Sequence, residues 1–120
     1  MAWQVEVTDE FAAWYDGLQP EQQDRVNAAV DELAERGPAL GRPWVDTLAG
    51  SKLANLKELR VHSDGHLRIL FVFDPRRTAI LLLGGDKSGQ WTDWYGWAVA
   101  EAERLYAIYL EELRREGLLP

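Results

Sequence analysis

The chain has 120 residues, 47% of them hydrophobic and 28% charged, with a net charge of −7 at pH 7 and no cysteine. That length suits one domain, 1–120, around a single core; the apolar content argues against disorder, and the absence of thiols excludes disulfides, thiolate zinc sites and a cysteine nucleophile. No basic and apolar leader pattern opens the chain, and its longest aliphatic run, Ala79 to Leu83, is far below the roughly 20 residues that cross a bilayer, so a cytoplasmic location without membrane contact is expected.

Trp3, Val5 and Val7 alternate with Gln4 and Glu6, the period of a half-buried first strand. Thr8 offers a helix cap ahead of Asp9 and Glu10, and Phe11, Trp14, Tyr15 and Leu18 recur at helical spacing. Gly17 to Pro20 ends that helix. Pro20 suits the first turn of a second one, whose Val26, Ala29, Val30 and Leu33 repeat the spacing up to Gly37-Pro38, so the two form a helical hairpin. From Gly37 to Ser51 the Gly and Pro content predicts a loop, with Trp44, Val45 and Leu48 packed back onto the body.

Leu56 to Val61 reads as a strand, Ser63-Asp64-Gly65 as a turn, and Leu67 to Phe73 as an antiparallel return. After the turn Asp74-Pro75-Arg76-Arg77, Ala79 to Leu83 is apolar at every position, as a strand covered on both faces should be. A long helix from about Thr92 to Arg115 carries the stripe Tyr95, Val99, Ala102, Tyr106, Leu110 and Leu113. The fold class is therefore α+β: a small, mostly antiparallel sheet with an N-terminal helical hairpin and a long C-terminal helix.

Charge is distributed unevenly over these elements. Residues 42–87 hold eight Lys/Arg against five Asp/Glu, whereas residues 1–41 hold two against nine and residues 88–120 three against six. A basic centre between acidic flanks points to a local anion site rather than a protein coated in nucleic acid. Side chains alternate along a strand, so Leu56, Glu58 and Arg60 share one face; on the return strand Arg68 stands with Leu70 and Val72, a place where an arginine resists burial unless paired or open to a cavity. Whether Arg60 and Arg68 share a face depends on the intervening turn: a three-residue loop pairs them directly, a two- or four-residue loop separates them.

Two readings of these cations stand side by side. Arg60 and Arg68 are structural partners of neighbouring carboxylates, such as Glu58 or Asp86, or else Lys57, Arg60, Arg68 and Lys87 converge at the ends of adjacent strands as a phosphate-binding concavity. Gly84-Gly85, ahead of Asp86-Lys87, would let the backbone approach a ligand closely, although the pattern is not a Walker loop. Trp91, Trp94, Tyr95 and Trp97 follow at once, where bases could stack. Glu58 and Asp86 form the one plausible acid pair of a hydrolase, and His62 and His66, four apart across a turn, read as exposed turn residues rather than metal ligands. No metal or cofactor is expected.

Phe11 and Trp14, Gly37-Pro38, Leu40-Gly41-Arg42-Pro43, Leu56-Lys57-Glu58-Leu59-Arg60, Arg68-Ile69-Leu70-Phe71, Phe73-Asp74-Pro75, Gly84-Gly85-Asp86-Lys87 and the Trp91 to Tyr95 start of the last helix together resemble the RelE/ParE superfamily of bacterial toxins, most closely the HigB branch related to phage-derived Gp49-like proteins. The resemblance spans nearly the whole chain. It implies a RelE-like fold and the toxin of a type II toxin–antitoxin system, a metal-independent endoribonuclease cleaving mRNA on the ribosome through attack of the 2′-hydroxyl on the adjacent phosphate. The implied partners are mRNA, the ribosome and a helix-turn-helix (HigA/Xre-like) antitoxin, through which alone operator DNA is met. Carried onto this sequence, Arg60 and Arg68 clamp the phosphate, Lys87 stabilises the transition state or protonates the leaving oxygen, and Tyr95 orients or stacks on substrate; Lys57, Glu58, Asp86 and Trp91 are secondary substrate contacts. A ParE-like inhibitor of DNA gyrase and a catalytically inactive antitoxin-binding module are the alternatives.

Overall fold

The computed structural model describes residues 2–48, 50–61, 67–86 and 91–119, with the side chains of 91–93 set aside. Strand β1 (Val5–Val7) leads into helices α1 (Asp9–Asp16) and α2 (Pro20–Arg36), followed by a single 3-10 turn over Gly37–Ala39. Strands β2 (Val45–Thr47), β3 (Lys57–Arg60), β4 (Leu67–Phe73) and β5 (Ala79–Asp86) come next, and α3 (Trp91–Arg115) ends the order. The five strands lie in the order β1-β5-β4-β3-β2, antiparallel throughout except for the β1–β5 pair. The expected α+β class and the elements read from the sequence are present.

Thr8 starts α1 as its spacing predicts. Its Oγ1 accepts from the Phe11 amide at 3.0 Å and donates to the Leu82 carbonyl at 2.7 Å, so one side chain caps the helix and ties it to β5. In α2, Pro20 occupies the first turn and the Gln22 side chain reaches back to the Gln19 N–H at 2.9 Å.

The sheet is covered on both faces. Phe11, Val26, Ala29 and Leu33 of the two N-terminal helices pack on Leu59, Ile69, Phe71 and Leu81. On the other face Ala98, Ala102 and Leu105 of α3 pack on Leu56, Leu70, Val72, Ile80 and Leu82. The interior strand β5 is accordingly buried from Ala79 to Gly85. Its register carries a bulge: Leu70 faces Leu83 while Phe71 faces Leu81, leaving Leu82 as the extra residue whose carbonyl Thr8 satisfies.

Four expectations are corrected. The predicted loop over 37–51 contains β2, too short to announce itself, which pairs with β3 and places Asp46 opposite Glu58. The first strand begins at Val5 rather than Trp3, and β5 runs on to Asp86. The buried stripe of α3 is centred on Ala98, Ala102 and Leu105, with Val99 and Tyr106 at its flank and Leu110 outside the core cluster; an amphipathic pattern leaves a rotation of a few tens of degrees open, and contact with the sheet settles it.

Candidate anion site

Strand β3 turns Glu58 and Arg60 to the α3 side of the sheet, because the alternate residue Leu59 belongs to the core under α1 and α2. Arg60 lies directly opposite Arg68 in the β3–β4 register, so the two arginines share a face. The Val61 N–H to Leu67 carbonyl bond closes an odd number of intervening residues, 62–66, and that parity pairs the arginines; those five residues, including His62 and His66, lie outside the described residues.

One carboxylate stands between the cations. Glu58 Oε1 is 3.3 Å from Arg60 Nε and 3.4 Å from Arg68 Nε, and the Tyr95 hydroxyl, carried in by the first turns of α3, donates to Glu58 Oε2. The Glu58 and Arg68 side chains are 3% and 9% exposed while Arg60 is 35% exposed, so Arg60 marks the open edge of an otherwise covered site. Each guanidinium also has a second anchor: Arg60 Nη2 lies 3.2 Å from Asp46 Oδ2, and Arg68 Nη1 donates to the Leu67 carbonyl at 2.9 Å. Asp46 in turn takes Arg42 Nη2 at 3.1 Å. Like charges directly opposite on neighbouring strands ordinarily destabilise a sheet. Here the pairs Asp46/Glu58 and Arg60/Arg68 interleave, which offsets both repulsions.

Burial first, and then the hydrogen bond to the Glu58 carboxylate, push the Tyr95 hydroxyl above the usual phenol range, so it stays a proton donor at neutral pH. Trp94 roofs this corner. A Cβ on Gly85, the residue opposite Arg68, would lie 2.2 Å from the Trp94 indole nitrogen, and Trp94 meets the Tyr95 ring edge-on with centroids 5.0 Å apart. The space over Gly84 is likewise filled by Trp14, at 2.2 Å from an added Cβ. The two glycines therefore admit tryptophans, not the ligand backbone approach expected of them.

The other sequence candidates fall elsewhere. Lys57 points to the opposite face, with Nζ 3.3 Å from Thr47 Oγ1. Asp86 is exposed and faces Leu67, a residue of the α1–α2 core, which takes it off the arginine face. Lys87 and the side chain of Trp91 lie outside the described residues. Among the described residues no group of three His, Asp or Glu side chains is arranged to hold a metal, and no helix is long and apolar enough to cross a membrane. A groove of about 570 Å³ between β1, α1 and α2, lined by Val5, Phe11, Tyr15 and Val30, is remote from the arginines.

Residues 13–107 match the family described as phage derived protein Gp49-like. The chain belongs to this Gp49-like family. It is 45% identical over 114 residues to a Mycobacterium tuberculosis protein bearing the name toxin HigB2, covering 93% of this chain but only 56% of the relative's length. It is 50% identical over 82 residues to the same organism's HigB3, also named as a toxin, covering 68% of this chain and 71% of HigB3. Its fold is that of RelE: a free Escherichia coli RelE variant superposes with a TM-score of 0.58 at 12% identity over 94% of this chain and 99% of RelE. The toxin–antitoxin complex RelBE2 of M. tuberculosis contains a chain matched with a TM-score of 0.55 at 19% identity over 72% of this chain and 99% of that one.

In this Gp49-like chain the residue that sequence reasoning passed over is Asp46. Trp44 and Asp46 alternate with Val45 and Thr47 after Pro43, a strand signal of four residues that a Gly- and Pro-rich setting conceals. Arg60, Arg68, Glu58 and Tyr95, from three separate elements, are the predicted residues that converge.

Proposed function

We propose that this chain is the toxin of a toxin–antitoxin pair and a metal-independent endoribonuclease acting on mRNA at the ribosome. The observation that carries the reading is the side-by-side pair Arg60 and Arg68, two guanidiniums on one face aimed at one anion, with the Tyr95 hydroxyl donating to the same place. Guanidiniums at fixed separation suit a phosphodiester, whose charge grows as the ribose 2′-hydroxyl attacks. The 2′-hydroxyl gives up its proton to solvent water as the bond from O2′ to phosphorus forms, the bond from phosphorus to O5′ breaks, and a 2′,3′-cyclic phosphate and a 5′-hydroxyl result. Arg60 and Arg68 hold the phosphate, Tyr95 orients it, Lys87 delivers the proton to O5′, and Trp91 stacks on a base. Support for a protein partner comes from RelE-fold chains solved with their antitoxins, and we assign this chain a helix-turn-helix antitoxin.

A second reading is favoured by one observation: Glu58 already pairs with both arginines, as it would in an inactive module that only binds an antitoxin. Sequencing of RNA 5′ ends after brief induction tests both. New 5′-hydroxyl ends within mRNA, absent for Arg68→Ala, are the expected result; intact mRNA during growth arrest overturns the nuclease, and DNA-damage signalling with intact mRNA would point instead to gyrase.

A further inference from the structure

We propose that Glu58 occupies the seat of the scissile phosphodiester in the resting protein and is exchanged for it when RNA binds, so that the site is closed by its own internal anion. This rests on the ribonuclease reading and adds a mode of regulation to it. A carboxylate and a phosphodiester are both monoanions that present two oxygens. The Glu58 oxygens divide the site as two phosphate oxygens would: Oε1 accepts from Arg60 Nε and lies at ion-pair distance from Arg68 Nε, and Oε2 accepts from the Tyr95 hydroxyl.

Three features make this an exchangeable contact rather than a structural tie. The arginine contacts of 3.3 and 3.4 Å are long for charge-assisted hydrogen bonds, which settle near 2.7–2.9 Å. The same molecule builds a tight network where it needs one: Arg76 lies 2.7 Å from Glu6 and 2.8 Å from Asp74 at the other end of β4. Most tellingly, both guanidiniums keep anchors that do not involve Glu58, Arg60 on Asp46 and Arg68 on the Leu67 carbonyl, so the clamp stays in place when Glu58 leaves. The ligand enters past Arg60, which is far more exposed than Glu58 or Arg68.

The physical consequence is a chain whose resting affinity for RNA is low although its phosphate clamp is fully assembled. Removing the Glu58 charge raises that affinity and lowers the stability of the unliganded protein, because the buried Arg68 loses a counter-charge 3.4 Å away. RNA then restores the lost stability, since a ligand bound only by the folded state stabilises it.

The test uses the full-length chain and a fluorescent RNA oligonucleotide methylated at every O2′, which binds but cannot be cleaved. Anisotropy titrations compare wild type, Glu58→Gln, Arg68→Ala and the double variant, with melting curves taken with and without the RNA. Glu58→Gln is expected to bind about tenfold tighter than wild type, a difference of about 1.4 kcal/mol, and to lose that gain in the double variant. Glu58→Asp, which draws the carboxylate back by one methylene but keeps its charge, should gain less and serves if Glu58→Gln does not fold. Unchanged or weaker binding by both Glu58 variants, with Arg68→Ala still weakening wild type, overturns the exchange and leaves the clamp standing. Binding indifferent to Arg68 removes the clamp and the exchange together.

Discussion

Arg60 and Arg68 face each other directly across β3 and β4, and one buried carboxylate, Glu58, lies within 3.4 Å of both. A cation from each of two strands can aim at one anion only when the register brings them level. That relation makes the site sensitive to the shape of its cations as well as to their charge.

Arg68→Lys is therefore expected to keep the fold and lose most of the proposed toxicity, since a single ammonium nitrogen replaces a planar fork whose Nε faces Glu58 while its Nη1 reaches the Leu67 carbonyl. Arg68→Ala leaves a buried carboxylate short of a partner and should cost about 3 kcal/mol as well. Urea denaturation beside a growth-arrest assay separates the two effects; full toxicity in Arg68→Lys would show that fork geometry is irrelevant.

Tyr95→Phe deletes the donor to Glu58 Oε2 while keeping the ring against Trp94. A hydrogen bond to a charged acceptor contributes about 1.5–3 kcal/mol, and the loss should appear in both stability and the proposed mRNA cleavage. Tyr95→Ala, which also removes the aromatic contact, should be worse in both; equality of Phe and wild type would assign the hydroxyl no role.

Alkaline pH provides a separate readout. Burial first, and then its hydrogen bond with Glu6, push the Tyr109 hydroxyl to about 12, and Tyr95 is raised for like reasons. A phenol whose folded value exceeds the unfolded value of about 10 holds its proton longer when folded, so its stabilising contribution is complete below pH 10 and falls away as pH climbs toward 12. Phenolate absorbance of the folded protein should still be rising above pH 10, with that late rise diminished in Tyr109→Phe. A single transition near pH 10 in folded protein would contradict this.

Thr8→Val should cost about 2 kcal/mol, for it removes the cap on the Phe11 amide and abandons the Leu82 carbonyl at the bulge. Thr8→Ser, which keeps the oxygen, should cost far less. Chemical denaturation midpoints decide, and equal midpoints for Val and Ser would mean that the hydroxyl is idle.

Gly85→Ala drives a methyl into the Trp94 ring and should destabilise by about 1–3 kcal/mol, as overpacking does. With Trp94→Ala already in place the same change should be nearly silent, a non-additivity measurable by a double-mutant cycle. Additive costs would place the strain elsewhere.

Local chemistry made much of this legible. Thr8 ahead of Asp9 and Glu10, Pro20 at a helix start and the unbroken apolar run of Ala79 to Leu83 each carry their structure within a few residues, because capping, ring-fixed φ and burial on two faces act at short range. β2 was not legible, since a three-residue strand gains its stability from β3 and not from its own residues. The predicted grouping of Lys57 and Asp86 with the arginines depended on faces, and faces follow from pairing.

The sequence by itself determined the class of fold, the order of its elements, and the gathering of cations in the segment between two acidic flanks. Only the tertiary structure decided which charges meet. The register across 62–66 set Arg60 level with Arg68, the bulge at Leu82 put Gly85 under Trp94 and turned Asp86 away, and the docking of α3 brought the Tyr95 hydroxyl to Glu58. Side chains alternate with a period of two, so a shift of one residue in any of these pairings exchanges the two faces of the strand, and that choice is made by the packing of the whole sheet.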